Sequence, residues 1–265
     1  MDFWTKIRTK LSVMLNRSKL WQASKLEGER LKMAEHGYVY QNNNIKAKFY
    51  LPNYNKELIQ AKIIVDGNYY ESDELHYVFF EHNKGQIGEA IKDHCVLDIG
   101  TNIGNHTLYF LLECGASKVH CFEPMERVYD ILLKNIDLNH VQNKVELHHV
   151  AVGARSSRAK LSHYDSNNLG ATEIKYNNHG DYQVVAIDDL QIEDRISFVK
   201  IDIEGFEYEA LKGMKQTIEK HHPYMMIEIR DDNYKAVTDF MSLLGYRSAR
   251  IKSGINYLFS PIKDY

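Results

Sequence analysis

The chain has 265 residues, 44% hydrophobic and 26% charged, which excludes a disordered or fibrous protein and suffices for one full domain plus an extension. A formal net charge of −3 excludes the broad positive field of a nucleic-acid binder, so no nucleic-acid partner is expected. No apolar run approaches the roughly 20 residues of a membrane span, and no signal-peptide pattern precedes the first element, so the cytoplasm is the expected compartment.

Residues 1–37 form an expected amphipathic helical extension. Phe3, Ile7, Leu11, Met14 and Leu15 recur at helical spacing among Lys6, Arg8, Lys10 and Arg17, and Gly37 marks a stop. Two readings stay open: the helix packs on its own domain or on a second copy in a homo-oligomer, or it rests on an anionic membrane surface, peripheral at the inner membrane. Residues 38–92 read as a small β/α lead-in. "YVYQ", "IKAKFYL" and "KIIVDG" have the tyrosine and β-branched content of short strands, and Glu74 to Lys92 looks helical.

From residue 93 to the end, strands and helices alternate. "CVLDIG" is a strand, "NHTLYFLLECG" a helix stopped by Gly115, "KVHCFEP" a strand and "ERVYDILLKNIDLN" a helix. "VELHHVAVG" is a third strand, followed by a polar insertion over 154–183. Then come the strand "SFVKIDIEG", the helix "EYEALKGMKQTIEKH", the strand "YMMIEI", the helix "KAVTDFMSLLGY" and the strand "INYLFSP". The expected fold is α/β, a mostly parallel Rossmann-like sheet with helices on both faces. Cys95, Cys114 and Cys121 fall on buried strands or a helix end and read as small core residues.

In such a sheet ligands sit beyond the carboxyl ends of the strands. The turn after the first strand of the domain, "DIGTNIGN", carries Gly100 and Gly104 around Asn102, spaced G-x-N-x-G. A pyrophosphate-binding dinucleotide turn needs G-x-G-x-x-G, so a nicotinamide enzyme is disfavoured. Asp98 precedes the turn; a carboxylate there repels a pyrophosphate and suits a ligand with an ammonium and a sulfonium, S-adenosylmethionine. Glu123 ends the second strand, where an acid can accept both ribose hydroxyls. Each acid alone has a bland reading, a helix cap or a solvated side chain. Their order across one glycine-punctuated crossover is the stronger signal.

"VLDIGTNIGNHTLYF", "CFEPMERVYDILLKNIDLN", "VVAIDDL", "FVKIDIEGFEYEALKGM" and "PYMMIEI" together resemble the FkbM-type methyltransferases of the class I superfamily. The resemblance covers about residues 64–230 and departs from the usual D-x-G-A-N-x-G turn only in Thr101. It implies a seven-stranded fold and a cofactor site of Asp98, Gly100, Asn102, Gly104, Asn105 and Glu123, with Ala151 and Val152 beside the adenine. It further implies an O-methyltransferase acting on a sugar hydroxyl of a bacterial surface polysaccharide, capsule or O-antigen, or of a glycosylated metabolite.

A hydroxyl acceptor needs its proton removed. Asp202 is the leading candidate base, with Glu204 and Glu228 as partners and His106, in the first turn beyond the glycines, as a further contact. Asp202 and Glu228 would also ligate a magnesium ion if one takes part, since magnesium prefers oxygen. The blander reading gives Glu204 and Glu207 to the following helix dipole. The insertion has the length and polarity of an active-site cover, with His163, Tyr164, Asn167, Asn168 and Tyr176 placed to contact a carbohydrate acceptor; a solvent-facing hairpin is the alternative. Two other functions stay open: a methyltransferase for nucleic acid or a phosphate-type group, which should show a basic aromatic groove, and a non-catalytic adaptor that keeps the fold.

Overall fold

Period-two alternation along the central strands decides the architecture. On strand β3 (Cys95–Ile99), Val96 faces one hydrophobic layer while Cys95, Leu97 and Ile99 face another. Strand β10 (Ile196–Ile201) repeats this, with Phe198 on the first side and Val199 and Ile201 on the second. Strands apolar on both faces must be covered on both, which makes a three-layer molecule. The computed structural model describes residues 24, 25, 27–29, 32, 33, 35–163, 172–251 and 254–262.

The main sheet has seven strands in the order β12-β13-β11-β10-β3-β4-β5. Beyond β3 and β10 these are β4 (Lys118–Phe122), β5 (Val145–His148), β11 (Tyr224–Glu228), β12 (Tyr246–Arg250) and β13 (Asn256–Pro261). All neighbours pair in parallel except β13, which is antiparallel to both β11 and β12. From β3 the chain winds outward to β4 and β5, then returns to β10 and winds the other way. The reversal opens a crevice above the ends of β3 and β10, where such sheets place their ligands.

Helix α4 (Asn105–Leu112), buried over nearly its whole length, and α5 (Glu126–Leu138) cover the face that carries Val96 and Phe198. Helices α6 (Glu207–Lys212), α7 (Lys215–His221) and α8 (Tyr234–Leu243) cover the other. The lead-in also joins the first layer through β1 (Val39–Tyr40), β2 (Phe49–Tyr50), α1 (Leu58–Asp66), α2 (Ser72–His76) and α3 (Gln86–Ile91).

The structure corrects several expected elements. "KIIVDG" lies in helix α1 and is no strand: the Glu57 side chain accepts from the Gln60 N–H at 2.9 Å, Gly67 closes the helix with φ 66°, and Gln60, Ile63 and Ile64 bury one face. Capping and burial outweigh the β-branched propensity. The helix over Glu74 to Lys92 is interrupted where Asn83 and Lys84 take left-handed conformations. "VELHHVAVG" splits into β5 and β6 (Ala151–Val152), because β6 leaves the main sheet to pair with β9 (Tyr182–Val185). The insertion thus builds a second sheet in the order β6-β9-β7-β8, with β7 (Ser157–His163) and β8 (Glu173–Tyr176) as its hairpin. "EYEALKGMKQTIEKH" breaks into α6 and α7 at Gly213, whose Cα side presses on the Gly153 carbonyl; a Cβ there would stand 2.0 Å from that oxygen.

The three cysteines are buried and free. Of the N-terminal extension, Met33 is buried in the domain core and Lys25 donates to the Val65 carbonyl at 2.6 Å. Its Phe3 to Leu15 face lies outside the described residues. No helix among the described residues is long and apolar enough to cross a membrane.

Candidate active site

A cavity of about 440 Å³ opens at the crevice between β3 and β10. Its floor is the glycine turn. Gly100 and Thr101 donate their N–H groups to the Phe122 carbonyl at 3.0 and 3.1 Å, tying the turn to the end of β4. The Thr101 hydroxyl donates to the Asp98 carbonyl at 2.7 Å and accepts from the Phe122 N–H at 3.0 Å, so threonine adds two ties that an alanine would lack. Gly100 has φ 80°, and a Cβ on it would lie 1.9 Å from the Asp202 carbonyl oxygen. The β3 and β10 turns therefore touch backbone to backbone. Gly100→Ala is expected to cost about 2–4 kcal/mol in urea unfolding, from left-handed strain and overlap together. A cost below about 0.5 kcal/mol, the scale of a neutral surface change, would show that the two turns separate freely.

Glu123 forms one end wall. It is 6% exposed, and its two oxygens accept from the Asn102 and Met125 N–H groups at 3.0 and 2.8 Å. Burial pushes its carboxyl up to about 7 against those hydrogen bonds. The carboxyl group is oriented, lines the cavity, and each oxygen keeps acceptor capacity beyond its backbone hydrogen bond. Ala151 and Val152 line the same end with Phe122, Met125 and Val128, an apolar slot beside an acid. An apolar wall beside an oriented carboxyl group is chemistry that could receive a nucleoside.

Asp98 departs from expectation. Its residue is wholly buried and lies beneath the cavity, absent from the lining. One oxygen accepts from the Thr107 hydroxyl at 2.6 Å; the other has no hydrogen-bond partner and faces the Lys200 ammonium at 3.9 Å. Asp98 and Lys200 are register partners on adjacent parallel strands, so their side chains share one face. Lys200, 3% exposed, donates to the Gly100 carbonyl at 3.0 Å and to Asp202 at 3.1 Å. Burial works to lower its ammonium, but Asp202 and then Asp98 outweigh that and hold it above the ordinary lysine range. Lys200 lines the cavity and stands between it and Asp98, whose charge it offsets. Sequence reading missed it, because a lysine inside an apolar strand reads as a solvent-facing position.

The other end is acidic. Asp202, Glu204 and Glu228 each bring an oxygen within 4.8 Å of the others, a set that could hold a hard cation. Burial, then Asp202, raises Glu204 to about 7, with Arg230 opposing from 4.0 Å. Burial, then Asp202, Glu204 and Glu71, pushes Glu228 well above the carboxylate range. The lead-in adds Tyr70, Glu71 and Glu74 to this wall. Asn105 also lines the cavity, but both ends of its amide bond the Tyr70 backbone, at 2.9 and 3.1 Å, clamping the lead-in to the start of α4. His106, 4% exposed, stands with Nε2 3.4 Å from Glu71.

Among the residues expected at the acceptor, Glu228 lines the cavity. His163 ends β7 exposed and outside the lining, since the hairpin's register turns it toward solvent beside Glu173. Tyr176 is engaged elsewhere, accepting from the Ala154 N–H at 2.8 Å and packing on Phe206. Tyr164, Asn167 and Asn168 lie outside the described residues. The insertion reaches the cavity through Thr172 and Ile174.

Residues 98–248 match the family described as the Methyltransferase FkbM domain. Among curated relatives, methyltransferase sdnD of Sordaria araneosa is 23% identical, the match covering 55% of this chain and 75% of that one. The hexuronic acid methyltransferase AglP of Haloferax volcanii is 28% identical, over 54% of this chain and 59% of its own length. Among solved structures, the methyltransferase FkbM of Methylobacillus flagellatus KT shares 22% identity at a TM-score of 0.45, covering 63% of this chain and 43% of that one. The matched span begins at Asp98 and takes in the glycine turn, Glu123, the insertion, Asp202 and Glu204 just beyond β10, and Glu228 at the end of β11. The chain belongs to the FkbM family of methyltransferases.

Proposed function

We propose that this methyltransferase uses S-adenosylmethionine and methylates a hydroxyl group of a sugar, in a surface polysaccharide of a bacterium or in a glycosylated metabolite. The observation that carries the reading is the polarity of one cavity: a backbone-oriented Glu123 with an apolar slot at one end, and converging carboxylates at the other. The first end suits an adenosine, the second a polar acceptor. The name of the Haloferax relative, a hexuronic acid methyltransferase, supports a sugar.

When bound, the sulfonium supplies an electrophilic methyl group. The residues of this chain then have to align a hydroxyl oxygen with it and take the hydroxyl proton. Glu204 is the better base. Its carboxyl is poised near 7, where an acceptor of protons works best at neutral pH, whereas Asp202 is already committed to the Lys200 ammonium. Asp202 positions Lys200 and the turn. Glu228 and His106 stand where they can hydrogen-bond the acceptor.

The test is calorimetric titration with S-adenosylhomocysteine, on the wild type and on Glu123→Ala. The substitution is expected to weaken binding about 10- to 100-fold, the worth of hydrogen bonds to a charged group. Wild-type protein that does not bind the nucleoside overturns the reading. Mass spectrometry of glycans from cells with and without the active protein then identifies the acceptor, by loss of one methyl group.

A further inference from the structure

A second cluster of ligand-type side chains lies on the main sheet, away from the cavity. His120 of β4 and Glu146 of β5 are register partners, and His148 follows two residues on. All three side chains therefore stand on one face of the two outermost strands at this edge. His120 Nδ1 is 3.2 Å from His148 Nε2 and 3.9 Å from a Glu146 oxygen, and the three ligand atoms lie within 4.8 Å of one another. None of the three residues lines the cavity. Lys118 reaches Glu146 and Asp194 at 3.0 Å each, which accounts for the two carboxylates. It does not account for the rings. His120 is 3% exposed, and its Nε2 has no hydrogen-bond partner; it stands 3.6 Å from Asp194, too far for a hydrogen bond.

We infer that His120, His148 and Glu146 form a site for a zinc-class divalent ion, with Asp194 behind His120 as the carboxylate that orients its ring. A separation of 3.2 Å between ring nitrogens serves a long N–H···N hydrogen bond. It also matches two nitrogens on one tetrahedral ion, where bonds of about 2.0–2.1 Å set ligand atoms about 3.3 Å apart. Glu146 is half exposed, so its carboxylate can turn in to complete the set while Lys118 keeps Asp194. With Nδ1 on the ion, the His120 proton sits on Nε2 and faces Asp194, the arrangement that ligating histidines use. Two imidazole donors select against magnesium and calcium, which take oxygen. Three protein ligands leave a fourth position for solvent. The ion ties edge strand β5 to β4 directly behind the Glu123 end of the cavity. There the His148 ring stacks on Phe122 at 4.4 Å, and the His148 carbonyl accepts from the Glu123 N–H at 3.2 Å. A rival set, Cys95 Sγ with His120 and Asp194, also falls within 4.8 Å, but it offers one imidazole in place of two.

The test uses the full chain, freed of metal with a chelator and kept slightly above neutral pH, where imidazoles are uncharged. Zinc chloride is titrated by thermal shift and cobalt chloride by visible absorption, with magnesium chloride as the control. Zinc is expected to raise the unfolding temperature progressively with its concentration. Cobalt should give the visible bands of a four- or five-coordinate ion, and magnesium should do neither. Asp194→Asn is expected to weaken zinc about 10- to 100-fold through His120, and His148→Asn or Glu146→Gln at least as much. Urea unfolding of each variant without metal certifies its fold; Glu146, half exposed, is the variant least able to disturb it. No zinc shift in the wild type, binding that survives both ligand variants, or an equal response to magnesium overturns the inference. So does a thiolate-to-cobalt charge-transfer band, which would place the ion on Cys95. No step needs the nucleoside, so failure here leaves the proposed function standing.

Discussion

Lys200→Met is expected to destabilise the protein by about 3–5 kcal/mol in urea unfolding, the cost of leaving a buried charge without its partner. The charge in question is Asp98, wholly buried, with one oxygen on Thr107 and the other facing only the lysine. Adding Asp98→Asn should recover most of the loss, since an amide oxygen still accepts from Thr107 and no charge remains. The pH dependence has a definite sign. In the wild type the lysine is held above its ordinary value, so its contribution is complete below the unfolded lysine pKa and is lost only as pH rises through the folded one. Across the neutral range that contribution is flat. A loss below about 1 kcal/mol, the range of exposed pairs, or a double variant no more stable than the single one, would show that the two residues are not coupled.

The division between what the sequence displays and what it hides follows from the distance over which each feature is encoded. Alternation and helical periodicity are local, so β3, α4, β4, α5, β10 and β11 are legible, as is the turn whose Gly100 abuts β10. Glu123 is legible because an acid followed by proline at a strand end has few structural uses. Asp98 illustrates the limit. Its place at the end of β3 and its face follow from alternation, but the lysine that pairs with it lies far along the chain in the neighbouring strand, and that pairing is what the local sequence does not display. Strand β12 escapes because only its first residue, Tyr246, is buried; an edge strand so exposed carries little apolar alternation. The acidic wall is hidden for another reason. Glu71 and Glu74 reach it from a lead-in that looks like packing material, held there by the Asn105 clamp on Tyr70, by the Asn256 amide donating to Glu74 at 2.9 Å and by the shared core.

Glu204→Gln is expected to lower kcat by about 10²- to 10⁴-fold, the usual worth of a positioned general base, with KM changed far less. The wild-type rate should fall on the acid side with an inflection near 7, because burial and Asp202 raise Glu204 to about that value and only its ionised form can accept a proton. That acid limb should vanish in the variant. Stability should move the opposite way. An acid whose folded pKa is raised stabilises the protein below its unfolded value and weakens it progressively as pH rises through the folded one, so removing the charge strengthens the protein above neutrality. A purely structural carboxylate would not produce a variant that is more stable and yet nearly inactive; a site that tolerates repulsion for the sake of chemistry would. Glu204 also occupies φ 54°, a left-handed conformation uncommon for its type, which holds the carboxyl over the cavity beside Gly205. If Glu204→Gln keeps kcat within about tenfold and retains the acid limb, the base lies elsewhere, since a general base is worth more than that. Glu228, its carboxyl pushed higher by burial and by the same neighbours, is then the residue to replace, and the inflection should move upward with it.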